Sequence, residues 1–466
     1  MRQSKAIGTI FFTLVYLIIG VVILKYTPQN LINSDYVNYL TLTTGYFIVA
    51  GILLISYIVT PMDLFEPIIF VTFLYLMIFS IVPIINIIIG ETLFFGKDIM
   101  GGAQKATWIF IVSYLAFVFG YYLQREKEPL KKKKSINMET TEDVKREILL
   151  ISLIFWIFCF LLSLFDLLSS GKNLLYILSI GNTGFIDPSR QISTPLGFVS
   201  MFGYSMIPTW MYINAYSKNT ILKNVLYVLT LIIFVVRGFR FVIVILIMAP
   251  IIYYYIKNNK RPSLLLLCIL AMVLLFMIGI IGFMRGDIRS GNEVEWASFD
   301  IEFIIEAVKG NFDIYQPFYG MVEVIPEDLG YSYGDQIFVY TLIMFIPRAI
   351  WPNKPYSNID EVLTTSVSRY ASNAGIAFPN IGEFYMEFGI FGCIVFMFFF
   401  GKLCGWSKRL YKIDKNNVNS LIAYSIILPS FMQLVIRGYT PSNFYLILSL
   451  LLPILFIKFK TNKNIR

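Results

Sequence analysis

Gln336-Ile337-Phe338-Val339-Tyr340-Thr341-Leu342-Ile343-Met344-Phe345-Ile346-Pro347-Arg348-Ala349-Ile350 is the stretch on which the topology of this chain turns. It is apolar but only about 15 residues long, short of the ~20 that a helix needs to cross a hydrocarbon core, and Pro347 and Arg348 stand near its end. Counted as a full span, it would leave Lys458, Lys460, Lys463 and Arg466 on the outer side, against the rule that basic residues stay inside. It is therefore read as re-entrant or interfacial. Such a segment is tolerated only where protein or a water-filled cavity surrounds its backbone.

The rest of the chain sets that reading in a membrane. Of 466 residues, 57% are hydrophobic, 17% aromatic and only 14% charged, and the mean hydropathy is +0.71. No soluble fold hides that much apolar surface. Runs long enough to span fall at 6–24, 39–59, 67–89, 106–123, 148–168, 195–216, 221–236, 239–256, 263–284, 380–401, 419–436 and 441–457. The expected fold is an all-α polytopic membrane protein of about 12 transmembrane helices. The first run is followed by Lys25-Tyr26-Thr27-Pro28, not by a small-residue cleavage site, so it is read as a retained helix. Charge places both termini and the Lys-rich loop 124–147, with Lys131 to Lys134, in the cytoplasm. Three regions result: nine helices over 1–284, an external segment over 285–379, and three helices over 380–466.

The external segment is chemically unlike its surroundings. Thirteen acids stand there against six bases, in a chain of net charge +9. Lysines otherwise gather inside, whereas arginines collect outside: Arg190, Arg237, Arg240, Arg285, Arg289, Arg348, Arg369 and Arg437. Several sit at the outer end of an apolar run, as in Arg237-Gly238-Phe239-Arg240, Arg285-Gly286-Asp287-Ile288-Arg289 and Arg437-Gly438-Tyr439. Snorkelling explains any one of them but not the scarcity of lysine beside them. A planar guanidinium grips phosphate oxygens in two places and never deprotonates, so the group suits a lipid-borne pyrophosphate.

Pro379-Asn380-Ile381-Gly382-Glu383-Phe384-Tyr385-Met386-Glu387-Phe388-Gly389 opens the tenth run with two carboxylates one helical turn apart. Near lipid they are costly unless a cavity or a helix terminus receives them. The chain has no histidine, so the natural base for a sugar hydroxyl is a carboxylate, either Glu383 or Asp287. Its four cysteines show no metal-ligand spacing, and no phosphate-binding loop, nucleophile elbow or calcium loop is present. The expected chemistry uses no metal, no cofactor and no nucleic acid.

At Arg285 to Arg289, at Ile346-Pro347-Arg348 with Trp351-Pro352-Asn353-Lys354-Pro355, and at Gly382 to Gly389 with Gly392, the chain resembles the oligosaccharide repeat unit polymerases of bacterial O-antigen and capsule assembly, the Wzy type. The resemblance implies a GT-C-like membrane glycosyltransferase on the outer face of the cytoplasmic membrane. It would join undecaprenyl-pyrophosphate-linked repeat units into O-antigen or capsular polysaccharide, with membrane lipid and a chain-length regulator protein as further partners. On that basis Glu383 or Asp287 would be catalytic, Arg237, Arg240, Arg285, Arg289, Arg348, Lys354 and Arg437 would hold pyrophosphate, and Trp351 and Tyr385 would meet sugar. Met386 and Glu387 depart from the pattern, since similar proteins often carry an amide before the Phe-Gly. Two other classes share the length and span number: a lipid-linked oligosaccharide flippase, which would line a central cavity with charge, and an O-antigen ligase, which typically relies on a histidine.

Overall fold

The computed structural model describes residues 13–23, 33–60, 62, 65–94, 96–125, 142–169, 197–236, 240–260, 312–346, 350–355, 357, 359–367, 376–413 and 417–463. Among them the chain is almost wholly helical, with a single two-stranded hairpin in which β1 (Leu93–Phe94) pairs with β2 (Lys97–Asp98). The helices are α1 (Thr13–Ile23), α2 (Asn33–Val59), α3 (Pro67–Ile89), α4 (Ala103–Arg125), α5 (Glu142–Ser169), α6 (Met206–Tyr216), α7 (Thr220–Val236) and α8 (Arg240–Lys257). They continue with α9 (Tyr315–Val324), α10 (Asp335–Tyr340 running on as Thr341–Ile343), α11 (Ile359–Ser366), α12 (Asn380–Ile413), α13 (Val418–Ile436) and α14 (Thr440–Lys463). Seven of these, α2, α3, α4, α5, α12, α13 and α14, are long and apolar enough to cross a membrane; α1, α7 and α8 are shorter apolar helices.

One of the twelve expected spans is not a single α-helix, and another is not described. The 195–216 run is a 3-10 stretch, Gly197–Ser205, followed by the 11-residue α6, and the 263–284 run lies outside the described residues. Pro208 falls in the first turn of α6, where its missing N–H would have had no intrahelical acceptor. Proline acts differently inside α3. Pro83 cannot donate to the Phe79 carbonyl, and the ladder slackens into a π turn over Met77–Ile81 in which the Val82 N–H reaches back to Met77. The described part of the short 336–350 run carries the helical segment α10, which ends at Ile343.

The bundle is built around α4 and α12, which pack backbone against backbone. A Cβ at Gly401 would run into the Phe117 carbonyl, and one at Gly120 into that of Phe398. Lipid offers apolar helices no hydrophobic gain for associating, so close approach of this kind supplies much of the attraction between them. Buried hydroxyls find partners in the core: Tyr75 donates to Asn380 at 2.9 Å, and Tyr114 lies 2.8 Å from the Thr72 hydroxyl.

The two ends of this bundle are tied differently. At one end, Glu66 at the start of α3 meets Arg125 at 3.5 Å, Lys408 at 3.3 Å and the Tyr121 hydroxyl at 2.5 Å, joining α3, α4 and α12. At the other, the short elements of 312–367 cap the bundle. The Gly102 N–H donates to Glu323 at 2.7 Å, the Asn86 amide to Asp313 at 2.9 Å, and Lys97 to the Ser366 carbonyl at 2.9 Å.

Candidate active site

The second end of the bundle gathers around the first two turns of α12. Glu383 is buried, and both of its oxygens accept from the Thr440 N–H, at 2.9 and 3.0 Å, while the Thr440 hydroxyl donates to Oε2 at 2.7 Å. Thr440 is the first residue of α14, so this carboxylate caps a neighbouring helix where free N–H groups and the helix dipole favour negative charge. Glu387, also buried, does the same for α10: Oε2 accepts from Gly334 N–H at 2.5 Å and Oε1 from Gln336 N–H at 3.1 Å. The two acids one turn apart thus hold two different helices.

The α12 helix breaks just after them. Phe388 (φ −142°, ψ 21°) and Gly389 (φ 61°, ψ −148°) leave helical space, which frees the carbonyls of Met386 and Glu387. Ser332 and Tyr333 fill both with N–H donors at 3.0 Å, so backbone hydrogen bonds help fasten the chain before α10 to the break. Gly389 is required there. Its positive φ disfavours any side chain, and a Cβ would sit 2.7 Å from the Tyr331 hydroxyl oxygen.

Arg437 occupies the loop between α13 and α14. That loop is pinned by the Gly438 N–H donating to the Phe378 carbonyl at 2.7 Å, by the Asn443 amide donating to the Arg437 carbonyl at 2.6 Å, and by the Glu383 cap one residue beyond Tyr439. Arg437 is exposed at the protein surface, while neighbouring protein atoms desolvate its guanidinium enough to lower its pKa. Among the described residues no carboxylate pairs with it. An exposed guanidinium with no acid partner among the described residues is equipped to receive an anion.

The other expected site residues fall into two groups. Of those described, Lys354 is buried and donates to the carbonyls of Met344 and Ile346, both at 3.0 Å, closing the C-terminal end of α10. Tyr385 is buried and donates to the Ile325 carbonyl at 2.9 Å, so its ring is part of the packing beneath the site. Trp351, 38% exposed, lies open just beyond α10, and Arg240 starts α8. Arg237, Arg285, Asp287, Arg289 and Arg348 lie outside the described residues. Asp166, a buried acid near the end of the apolar α5, is not among the expected site residues, although a carboxylate inside a spanning run marks it in the sequence.

The model of one family, O-antigen polysaccharide polymerase Wzy, matches residues 6–464. The chain belongs to that family. This Wzy-family chain is thus a multi-pass membrane protein of a kind that polymerises O-antigen repeat units, acting on lipid-linked oligosaccharides. No curated protein and no solved structure matches it.

Proposed function

We propose that the chain is a metal-independent, GT-C-like glycosyltransferase of twelve spans with both termini cytoplasmic. It polymerises undecaprenyl-pyrophosphate-linked repeat units into O-antigen or capsular polysaccharide at the outer face of the bacterial cytoplasmic membrane. The observation that supports this reading is Arg437, an exposed guanidinium held on a loop fastened from three sides. A lipid-activated donor supplies its own leaving group, and the protein's task is to stabilise the charge that develops there.

In the proposed reaction, a hydroxyl of the incoming repeat unit attacks the anomeric carbon of the growing glycan. The bond from that carbon to the pyrophosphate oxygen breaks, its electron pair stays with the pyrophosphate, and the hydroxyl proton passes to a carboxylate. Arg437 holds the departing pyrophosphate, assisted by Arg237, Arg240, Arg285, Arg289 and Arg348. Trp351, exposed at the protein surface, offers a face for sugar. Since both oxygens of Glu383 are engaged by Thr440, we assign the base to Asp287 and give Glu383 the task of holding the Arg437 loop. A chain-length regulator is the partner expected to set product size.

The test is purified protein in liposomes supplied with lipid-linked repeat units. A ladder of polymer is expected. Movement of the lipid between leaflets without polymer would make the chain a flippase, and transfer only onto a lipid A core would make it a ligase.

A further inference from the structure

We infer that Glu387 is a positioning residue of the polymerase site: it fixes α10, and the turn carrying Trp351 behind it, at a set distance from the Arg437 loop. The inference rests on the reading of that site given above. Glu383 and Glu387 leave the same face of α12 one turn apart, and each grips the start of a different element. One holds α14 and with it the Arg437 loop; the other holds α10. The two walls are thereby referred to one rigid helical turn, closed on its far side by the break at Phe388 and Gly389.

Three features argue that this is more than a cap. A fully buried carboxylate is a costly way to satisfy two N–H groups that a serine or asparagine could serve. The segment also does not depend on Glu387 to stay folded. Ser332 and Tyr333 bond to the α12 carbonyls, Ser357 donates to Gln336 at 2.8 Å, Tyr445 of α14 donates to the Thr341 carbonyl at 2.9 Å, and Lys354 closes the other end. What the carboxylate adds is direction, because its two oxygens take N–H groups two residues apart and so set the tilt of α10. Finally, Gly334 precedes α10 at φ 93°, a conformation that turns its N–H toward Glu387 and that other residues rarely adopt.

Glu387→Gln keeps size and one acceptor but turns an amide NH2 toward an N–H donor. With lipid-linked repeat units extracted from cells lacking this chain as substrate, it is expected to lower kcat about tenfold or more while KM stays within about threefold, because the pyrophosphate grip at Arg437 is untouched. Glu387→Asp, which keeps the charge, should retain more turnover than Glu387→Gln. Amide hydrogen exchange on the same samples should show faster exchange over 334–346 and unchanged protection over Tyr315–Val324. Gly334→Ala disturbs the bond from its other partner and should give the same kcat loss, which keeps the idea testable if Glu387→Gln is poorly made. Wild-type kcat in both variants, a rise in KM alone, or loss of protection throughout the bundle would overturn the inference. If the unaltered protein makes no polymer, it is the proposed function that fails, and the exchange measurement still decides whether Glu387 sets the tilt of α10.

Discussion

The helix α12 carries two groups of charged side chains that solve the same problem in opposite ways. Toward its C-terminal end, Lys408 and the neighbouring Arg125 share one carboxylate, Glu66, and the Tyr121 hydroxyl completes the cluster. Acid is neutralised by base, and three helices are locked. Toward its N-terminal end, Glu383 and Glu387 take backbone N–H groups at the starts of α14 and α10, and Arg437 stands close by without an acid among the described residues. Helix N-termini satisfy carboxylates without consuming a cation. The lesson is that a membrane protein can keep guanidinium charge available for an incoming anion by assigning its acids to helix ends.

Mutations that exchange the two behaviours break the comparison, and the largest effect is expected at the locked end. Glu66→Ala strips the carboxylate from Arg125 and Lys408 and should cost about 3–5 kcal/mol of stability, the usual penalty for leaving buried charge uncompensated. Thermal unfolding in detergent or nanodiscs measures it. Activity per folded molecule should be unchanged, and a selective loss of turnover would mean the two ends are not independent.

Next is Arg437→Ala, expected to reduce kcat/KM about 100-fold, roughly 2.7 kcal/mol, with little change in stability because no ion pair among the described residues is lost. Arg437→Lys should recover only part of this, leaving about a tenfold deficit, since a point charge cannot hold two phosphate oxygens as a planar fork does. Initial rates of polymer formation from lipid-linked repeat units read both. Full activity in the lysine variant would reduce the role of Arg437 to charge screening.

How far the sequence discloses all this depends on which physical quantity a residue expresses. Membrane class, the all-α fold and the short Gln336–Ile350 run follow from hydropathy and length, which are summed properties of neighbours in the chain. The run over 195–216 passed the same length criterion, but the 3-10 geometry of Gly197–Ser205 and its tie from Ser205 to the Ser449 carbonyl are set by contacts with α14, more than 200 residues away. The spacing of Glu383 and Glu387 correctly indicated one helical face at a helix start. It could not show that the helix termini they serve belong to α14 and α10, since those N–H groups arrive from residues 440, 334 and 336. Lys354 and Tyr385 look like ligands by type, yet the carbonyls they bond are exposed by the local endings of α10 and α9, which no composition reveals.

The smallest effect is the most informative, because it separates the two roles open to Glu383. As the cap of α14, Glu383→Gln loses part of a bonded set worth about 1–2 kcal/mol, so turnover should fall about tenfold as the Arg437 loop loosens. Thr440→Val, which removes only the hydroxyl donor, should move activity in the same direction by a smaller factor. The double variant should then lose less than the product of the two, since both substitutions weaken one bond network. As a general base, Glu383 would behave otherwise. Its amide would abolish turnover by roughly a thousandfold or more, Thr440→Val would be close to neutral, and the two effects would multiply. Rates of the two single variants and the double variant, normalised to folded protein, therefore decide whether the carboxylate acts on the sugar or on the loop that holds the phosphate.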